Sequence, residues 1–291
     1  MVAPPVVTAT VVVMTSSGGP DASARSGRIP VRGILLRTTG GAGGAVPSFD
    51  ELCEAARLAE RVGFDGIWVD DVLADPGRGE GGEGFEAFSL LGALSQVTTT
   101  SALGVLRSPA DRRPPGVLAK IVTTLDALCG GRAVVALAAP SLATDDPGGV
   151  VVESIQAFRL VATGEPATFA GRHVRLEGAV SRPPAHHPDG IPLLVHAAPE
   201  TLGAVARLGA ADGLVVDVAG GEGALEPPPP APVTLAVVGG GDSGSAGGTG
   251  TLAASLARAR VAGFTGVVVP VDVAGPGAGS RVEEAARAVT G

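Results

Sequence analysis

Residues Ala55–Asp71 read AARLAERVGFDGIWVDD, and two different periods meet in them. Ala55, Ala56, Ala59 and Val62 continue a helical spacing that begins at Leu52, behind a Ser48 cap on Asp50-Glu51. Gly63 supplies the residue that ends such a helix. Gly66-Ile-Trp-Val-Asp70 follows at once, apolar without alternation, as a strand buried on both faces should be. A helix handing directly to a doubly buried strand is half of a parallel β/α unit.

The same unit recurs outward in both directions. Upstream lies Gly33-Ile-Leu-Leu-Arg37, followed by a glycine loop. Downstream, strand runs at Ala102–Leu106, Ala133–Leu137, Pro192–His196, Gly213–Asp217, Val233–Val238 and Val267–Val271 bring the count to eight. Helix-like stretches accompany them at 85–97, 114–128, 150–161, 199–208, 251–262 and 280–289. Residues 168–177 alternate around Gly171-Arg172 and predict a short hairpin insertion after the fourth strand. Residues 218–232 are Gly then Pro rich, so the sixth helix is missing or reduced. Eight units in about 260 residues predict a (β/α)8 TIM barrel. A doubly wound open sheet is the alternative that unit count and length disfavour.

The chain has 291 residues, with 45 Gly and 24 Pro, yet 45% hydrophobic and only 17% charged positions keep it out of the disordered class. The glycine and proline concentrate in connections. Residues 1–28 are expected to be a flexible appendage, with Met14 a candidate start, and 29–291 a single barrel domain. The net charge of −8 and the absence of any Lys/Arg cluster argue against a nucleic-acid partner. No apolar run reaches the length of a membrane span. Two cysteines, Cys53 and Cys129, in helix-like segments fit small buried hydrophobes and a cytoplasmic setting.

A barrel carries its site at the C-terminal strand ends. The residues arriving there include Arg37, Asp70, Asp71, Arg107, Ser108, Ala139, His196, Asp217, Gly239–Gly241 and Asp272. Each also has a plain structural reading: a loop cap for Asp70 and Asp71, a core histidine for His196, an ion pair for Arg107. No metal is expected, because His186 and His187 stand in a Pro-flanked loop without carboxylates at ligand spacing. Gly239, Gly241 and Gly244 match a dinucleotide fingerprint only formally, since glycine continues to Gly250 before a helix starts.

Thr100–Leu106, Arg112-Arg-Pro-Pro, Leu118-Ala-Lys120 and Thr124–Arg132 together resemble the luciferase-like monooxygenase family of flavin- or coenzyme F420-dependent oxidoreductases, many of them actinobacterial. Ala55–Asp71, Phe158–Glu177 and Ile191–Val215 resemble further family segments in the family's order. The resemblance implies a (β/α)8 barrel, with FMN or F420 across the strand ends and an unidentified small organic substrate. The chemistry it implies is hydride transfer or oxygen activation by a reduced flavin. Carried over by position, the catalytic candidates are Asp71, Arg107 and His196. The cofactor-binding candidates are Asp70, Leu106, Ser108, Ala138, Ala139, Ala197, Ala198, Glu200 and Thr201, the backbone at 198–201 holding the phosphate. Oligomers are common in the family, and a homodimer through barrel helices is the assembly it implies. The chain also departs from the pattern. Val72 replaces the usual histidine after Asp71, and Ala138-Ala-Pro140 and Ala197-Ala-Pro199 stand where glycines are expected. The alternative is therefore a cofactor-free, non-catalytic relative acting as a binding or partner subunit.

Overall fold

A computed structural model of the protein describes residues 24–25, 27–38, 45–71, 84–196, 210–218, 231, 233–238 and 249–290. Strand β1 (Arg32–Arg37) leads to helix α1 (Phe49–Arg61), β2 (Gly66–Val69), α2 (Ala87–Leu94), β3 (Ala102–Pro109), α3 (Pro115–Leu128), β4 (Ala133–Ala138) and α4 (Pro147–Ala162). The hairpin β5 (Ala167–Ala170) and β6 (Arg175–Ala179) intervenes before β7 (Leu193–His196). Then come β8 (Gly213–Val218), β9 (Thr234–Val238), α5 (Thr249–Val261), β10 (Gly266–Asp272) and α6 (Ala278–Thr290). Strands β1, β2, β3, β4, β7, β8, β9 and β10 pair in parallel, and β10 closes on β1 to form a barrel. The fold is the (β/α)8 barrel that the repeating units predict.

Local chemistry sets the element ends. Ser48 and Glu51 form a reciprocal capping box on α1, with Glu51 Oε2 accepting the Ser48 N–H at 2.7 Å. Gly63, at φ 97°, lets the chain leave that helix. Asp146 caps α4, its Oδ1 accepting the Gly149 N–H at 2.9 Å, so this helix starts at Pro147, earlier than the apolar period indicated. Glu153 of α4 receives the Arg172, His173 and Val174 N–H groups at 2.9, 2.7 and 2.9 Å and fixes the hairpin turn.

Strand alternation divides the core in two. Outward residues such as Ile34, Ile67, Val69, Leu103 and Val135 pack under the helices. Inward residues Leu35, Trp68, Leu106, Val134, Ala136, Leu194, Val215, Leu235, Val237 and Val268 fill the barrel. Trp68 is fully buried there. Its indole fits because the neighbouring inward positions are Gly33, Gly66 and Gly104; a Cβ on Gly104 would stand 2.3 Å from Trp68 Cε3.

Two boundaries differ from expectation. β3 runs past Leu106 to Pro109. The packed chain also begins before residue 29. Arg25 is buried, its Nε donating to Asp212 Oδ1 at 2.8 Å and its Nη1 to the Asp189 carbonyl at 3.0 Å. Arg28 donates to the Gly190 carbonyl. The rest of the expected appendage, the helix at 199–208, the stretch 219–230 read as lacking a sixth helix, and most of the glycine tract after β9 lie outside the described residues.

Candidate active site

Above the apolar filling, at the C-terminal strand ends, the inward register positions carry Arg37, Asp70, Ala138, His196, Asp217 and Asp272. Arg107 joins them through an irregularity in β3. Val105 pairs with Val135 and Ser108 with Leu137, so three residues of β3 advance against two of β4. The extra residue is a β-bulge, a device that re-aims a side chain. Leu106 stays in the barrel filling, and Arg107 turns across the mouth.

Its guanidinium lies among residues of three strands, two of which accept from it. Nη1 donates to Asp70 Oδ1 at 2.7 Å, and Nη2 donates to Asp217 Oδ1 at 2.6 Å. Nε lies 3.3 Å from His196 Nε2, which is itself 2.9 Å from Asp217 Oδ2. Burial works to lower the Arg107 pKa, but the charges of Asp70 and Asp217 outweigh it and the pKa is raised. Burial likewise works to raise Asp217; the His196 hydrogen bond and the Arg107 charge prevail and hold it down to about 2. An ionised carboxylate only accepts, so the shorter contact assigns the His196 proton to Nε2, donated to Asp217. Among the described residues His196 Nδ1 then makes no hydrogen bond. The cluster stays in reach of solvent: the Arg107 side chain is 27% exposed and Asp217 45%.

Asp71 belongs to a different network. Its side chain is 1% exposed and turned outward, where Ser108 Oγ donates to Oδ2 at 2.7 Å. Arg113 grips both carboxylate oxygens, reaches Glu86 Oε1 at 2.9 Å and lies over the Phe88 ring at 4.9 Å. Arg112 Nη1 donates to the Asp71 carbonyl at 2.7 Å. Asp71 was expected to be catalytic and Ser108 to bind the cofactor. The geometry instead commits them to tying β2 and β3 to the starts of α2 and α3. Burial works to lower the Arg113 pKa, and the Asp71 hydrogen bond and charge override it.

The remaining candidates divide by position. Asp70, Arg107 and His196 meet at the mouth, Ala138 lines it, and Leu106 forms its apolar floor. Ala139 follows β4 in a loop whose Ser141 and Leu142 N–H groups bond Asp111 at 2.7 and 2.8 Å. Ala197, Ala198, Glu200 and Thr201 lie outside the described residues. The sequence reading placed Asp217 at a strand end without choosing it, and it passed over Arg113 and Glu86. The available signal was the Arg112-Arg113 pair directly before the Pro-Pro helix start. Among the described residues, no group of three or more His, Cys, Asp or Glu side chains is placed to hold a metal ion, and no helix is long and apolar enough to cross a membrane.

The sequence model of the luciferase-like monooxygenase family matches residues 31–224. The chain belongs to that family. Among luciferase-like relatives, an F420-dependent glucose-6-phosphate dehydrogenase of Nakamurella multipartita is 30% identical over 141 residues, covering 44% of this chain and 41% of that protein. The chain thus spans about two fifths of the length of this curated relative. A coenzyme F420-dependent tetrahydromethanopterin reductase from Methanopyrus kandleri superposes with a TM-score of 0.67 at 16% identity, over 90% of this chain and 98% of that one. The FMN-bound oxygenating constituent of 3,6-diketocamphane monooxygenase from Pseudomonas putida gives a TM-score of 0.51 at 15% identity, over 66% of this chain and 59% of that one. At these identities the two structures speak for the luciferase-like fold alone.

Proposed function

We propose that the protein is an F420- or FMN-dependent oxidoreductase whose active site is the barrel mouth around Arg107. One observation carries this reading: a bulge in β3 spends an extra residue to bring a guanidinium across the mouth, onto Asp70, Asp217 and His196 from three other strands. Fold maintenance does not require such an arrangement, whereas a site at this end of the barrel does.

The donor set fits the ring end of a flavin or deazaflavin. The edge of that ring system alternates carbonyl acceptors with an N–H donor. The mouth alternates in the complementary sense, with Arg107 N–H groups beside the carboxylates of Asp70 and Asp217. Arg107, Asp70 and the Ala138 backbone would hold this edge, over the apolar floor of Leu106. The phosphate-bearing end is assigned by the same proposal to residues 197–201. When bound, the cofactor supplies hydride transfer or, as reduced flavin, oxygen activation. This chain's residues then handle the proton. His196, fixed by Asp217 through Nε2, holds or accepts it at Nδ1. Arg107 keeps Asp217 ionised, and the apolar filling below excludes water from that face.

Titration with F420 and with FMN, each oxidised and reduced, tests the reading through cofactor fluorescence. Saturable binding of one of them is expected. Binding of neither overturns it in favour of a cofactor-free barrel. Assembly as a homodimer in the cytoplasm belongs to the same proposal, and light scattering checks the oligomeric state.

A further inference from the structure

The register of β2 with β3 ends where Val69 meets Val105, below the residues that reach the mouth. A bulge then loosens β3, because its extra residue is left out of the ladder. Above that point two side-chain links join the strands, made by adjacent residues on each. On the inside Asp70 accepts from Arg107 at 2.7 Å, and on the outside Asp71 accepts from Ser108 at 2.7 Å. Their surroundings differ. The Asp70 and Arg107 side chains are each 27% exposed, and an ion pair so placed orients a long side chain only weakly. The Asp71 side chain and Ser108 are each 1% exposed, where a hydrogen bond to a carboxylate holds firmly.

Asp71 is itself held at both ends. Arg113 takes its two carboxylate oxygens, and Arg112 donates to its carbonyl at 2.7 Å. Arg113 is anchored in turn by Glu86 Oε1 at 2.9 Å, while Glu86 Oε2 caps α2 by accepting the Ser89 N–H at 2.7 Å. The helix starts therefore hold Asp71, Asp71 holds Ser108, and Ser108 is the residue after Arg107. We infer that Ser108 and Asp71 are positioning residues: their buried link, on the outside of the barrel wall, fixes the bulge and so aims the Arg107 guanidinium across the mouth. Without the link Arg107 keeps its charge and its carboxylate partners but loses its single orientation. The consequence for catalysis rests on the mouth being the active site.

Two measurements test it. The first needs no cofactor: solvent exchange of the Arg107 Nε–H, followed by NMR on nitrogen-15-labelled protein and assigned by its loss in Arg107→Lys. In wild type this proton, 3.3 Å from His196 Nε2, should exchange slowly. Ser108→Ala, confirmed folded by circular dichroism, should speed the exchange on the order of tenfold, the effect of losing a hydrogen bond to a charged group. Arg113→Lys, which keeps the charge but not the two-oxygen grip, should do the same by loosening Asp71. Arg25→Ala, at the opposite end of the barrel, reports plain destabilisation and should leave the signal as in wild type. The second measurement titrates Ser108→Ala with F420 and FMN, and affinity for whichever cofactor binds wild type should fall on the order of tenfold. Unchanged Arg107 exchange in the folded Ser108→Ala and Arg113→Lys variants, or an equal change in Arg25→Ala, overturns the inference. Failure of wild type to bind either cofactor removes the proposed function instead, and the exchange rates still decide the positioning.

Discussion

Adding one methyl group inside the barrel should be costly at Gly104. The new Cβ would lie 2.3 and 2.4 Å from Trp68 Cε3 and Cζ3 and 2.9 Å from Cδ2. The indole cannot retreat, since Gly33 leaves so little room that its own Cβ would stand 2.6 Å from Trp68 Nε1. Gly104→Ala must therefore displace a strand or force the ring off its rotamer. Overpacking of this kind costs about 1–3 kcal/mol, and crowding at both ends of the ring places Gly104→Ala at ~3 kcal/mol. Urea unfolding followed by Trp68 fluorescence measures it cleanly, because Trp68 is the chain's single tryptophan. Trp68→Phe should relieve the strain. It removes ring volume, and with it a buried N–H that has no hydrogen-bond partner among the described residues, itself a cost of about 1–3 kcal/mol. In the Trp68→Phe background, with circular dichroism as the probe, Gly104→Ala should cost half as much or less. A loss below about 0.5 kcal/mol in the Trp68 protein, or equal losses in both backgrounds, would refute the packing argument.

Other outcomes follow from the ion pairs. Asp71→Asn leaves Arg113 with Glu86 as its charged partner and should destabilise by about 1–3 kcal/mol in urea, while changing cofactor affinity far less than Arg107→Ala does. Arg25→Ala removes one guanidinium from Asp212, which is 1% exposed, while Arg159 Nη2 stays at 3.0 Å, and should cost about 1–3 kcal/mol; thermal unfolding reads it. Glu60 gives a pH signature. Burial pushes its carboxyl up, but the N–H groups of Ser101, Thr100 and Thr99 prevail and bring it from the ordinary 4.5 to about 2. A depressed carboxyl stabilises above its unfolded value, and the contribution fades as pH falls from about 4.5 towards about 2. Glu60→Gln should thus cost about 1 kcal/mol at pH 7, after allowance for solvent screening, and nothing at pH 2.

The barrel was legible because each unit carries its own punctuation. Ser48, Gly63 and the unbroken run Gly66–Asp70 mark a helix and a strand without help from the rest of the chain. The site was legible only as a set of strand ends. Asp70 and Asp71 are adjacent and chemically identical in sequence, yet one faces the mouth and the other the helices. Fixing that phase required knowing that Trp68 points inward. The clue was present in the glycines at 33, 66 and 104, which only strand pairing brings round one indole. Arg107 was chosen as a strand-end cation, but regular alternation after Leu106 turns it outward. The bulge depends on how β3 pairs with β4, a long-range property with no local spacing. Ala138 and Ala139 stand where glycines are expected, yet Ala138 lines a mouth in which Arg107 and Asp217 are still solvent-accessible.

The bulge also makes Arg107 dispensable to the sheet in a literal, genetic sense. Below it, Gly104 pairs with Val134; above it, Ser108 pairs with Leu137. Deleting the single codon for Arg107 would leave Leu106 inward and Ser108 outward in an uninterrupted strand, with both pairings intact. A barrel of this design can gain or lose its central cation by a one-residue insertion or deletion, without rephasing any other side chain in the wall. Length variation at this point, more than substitution, is then the economical route by which such a scaffold changes what its mouth accepts.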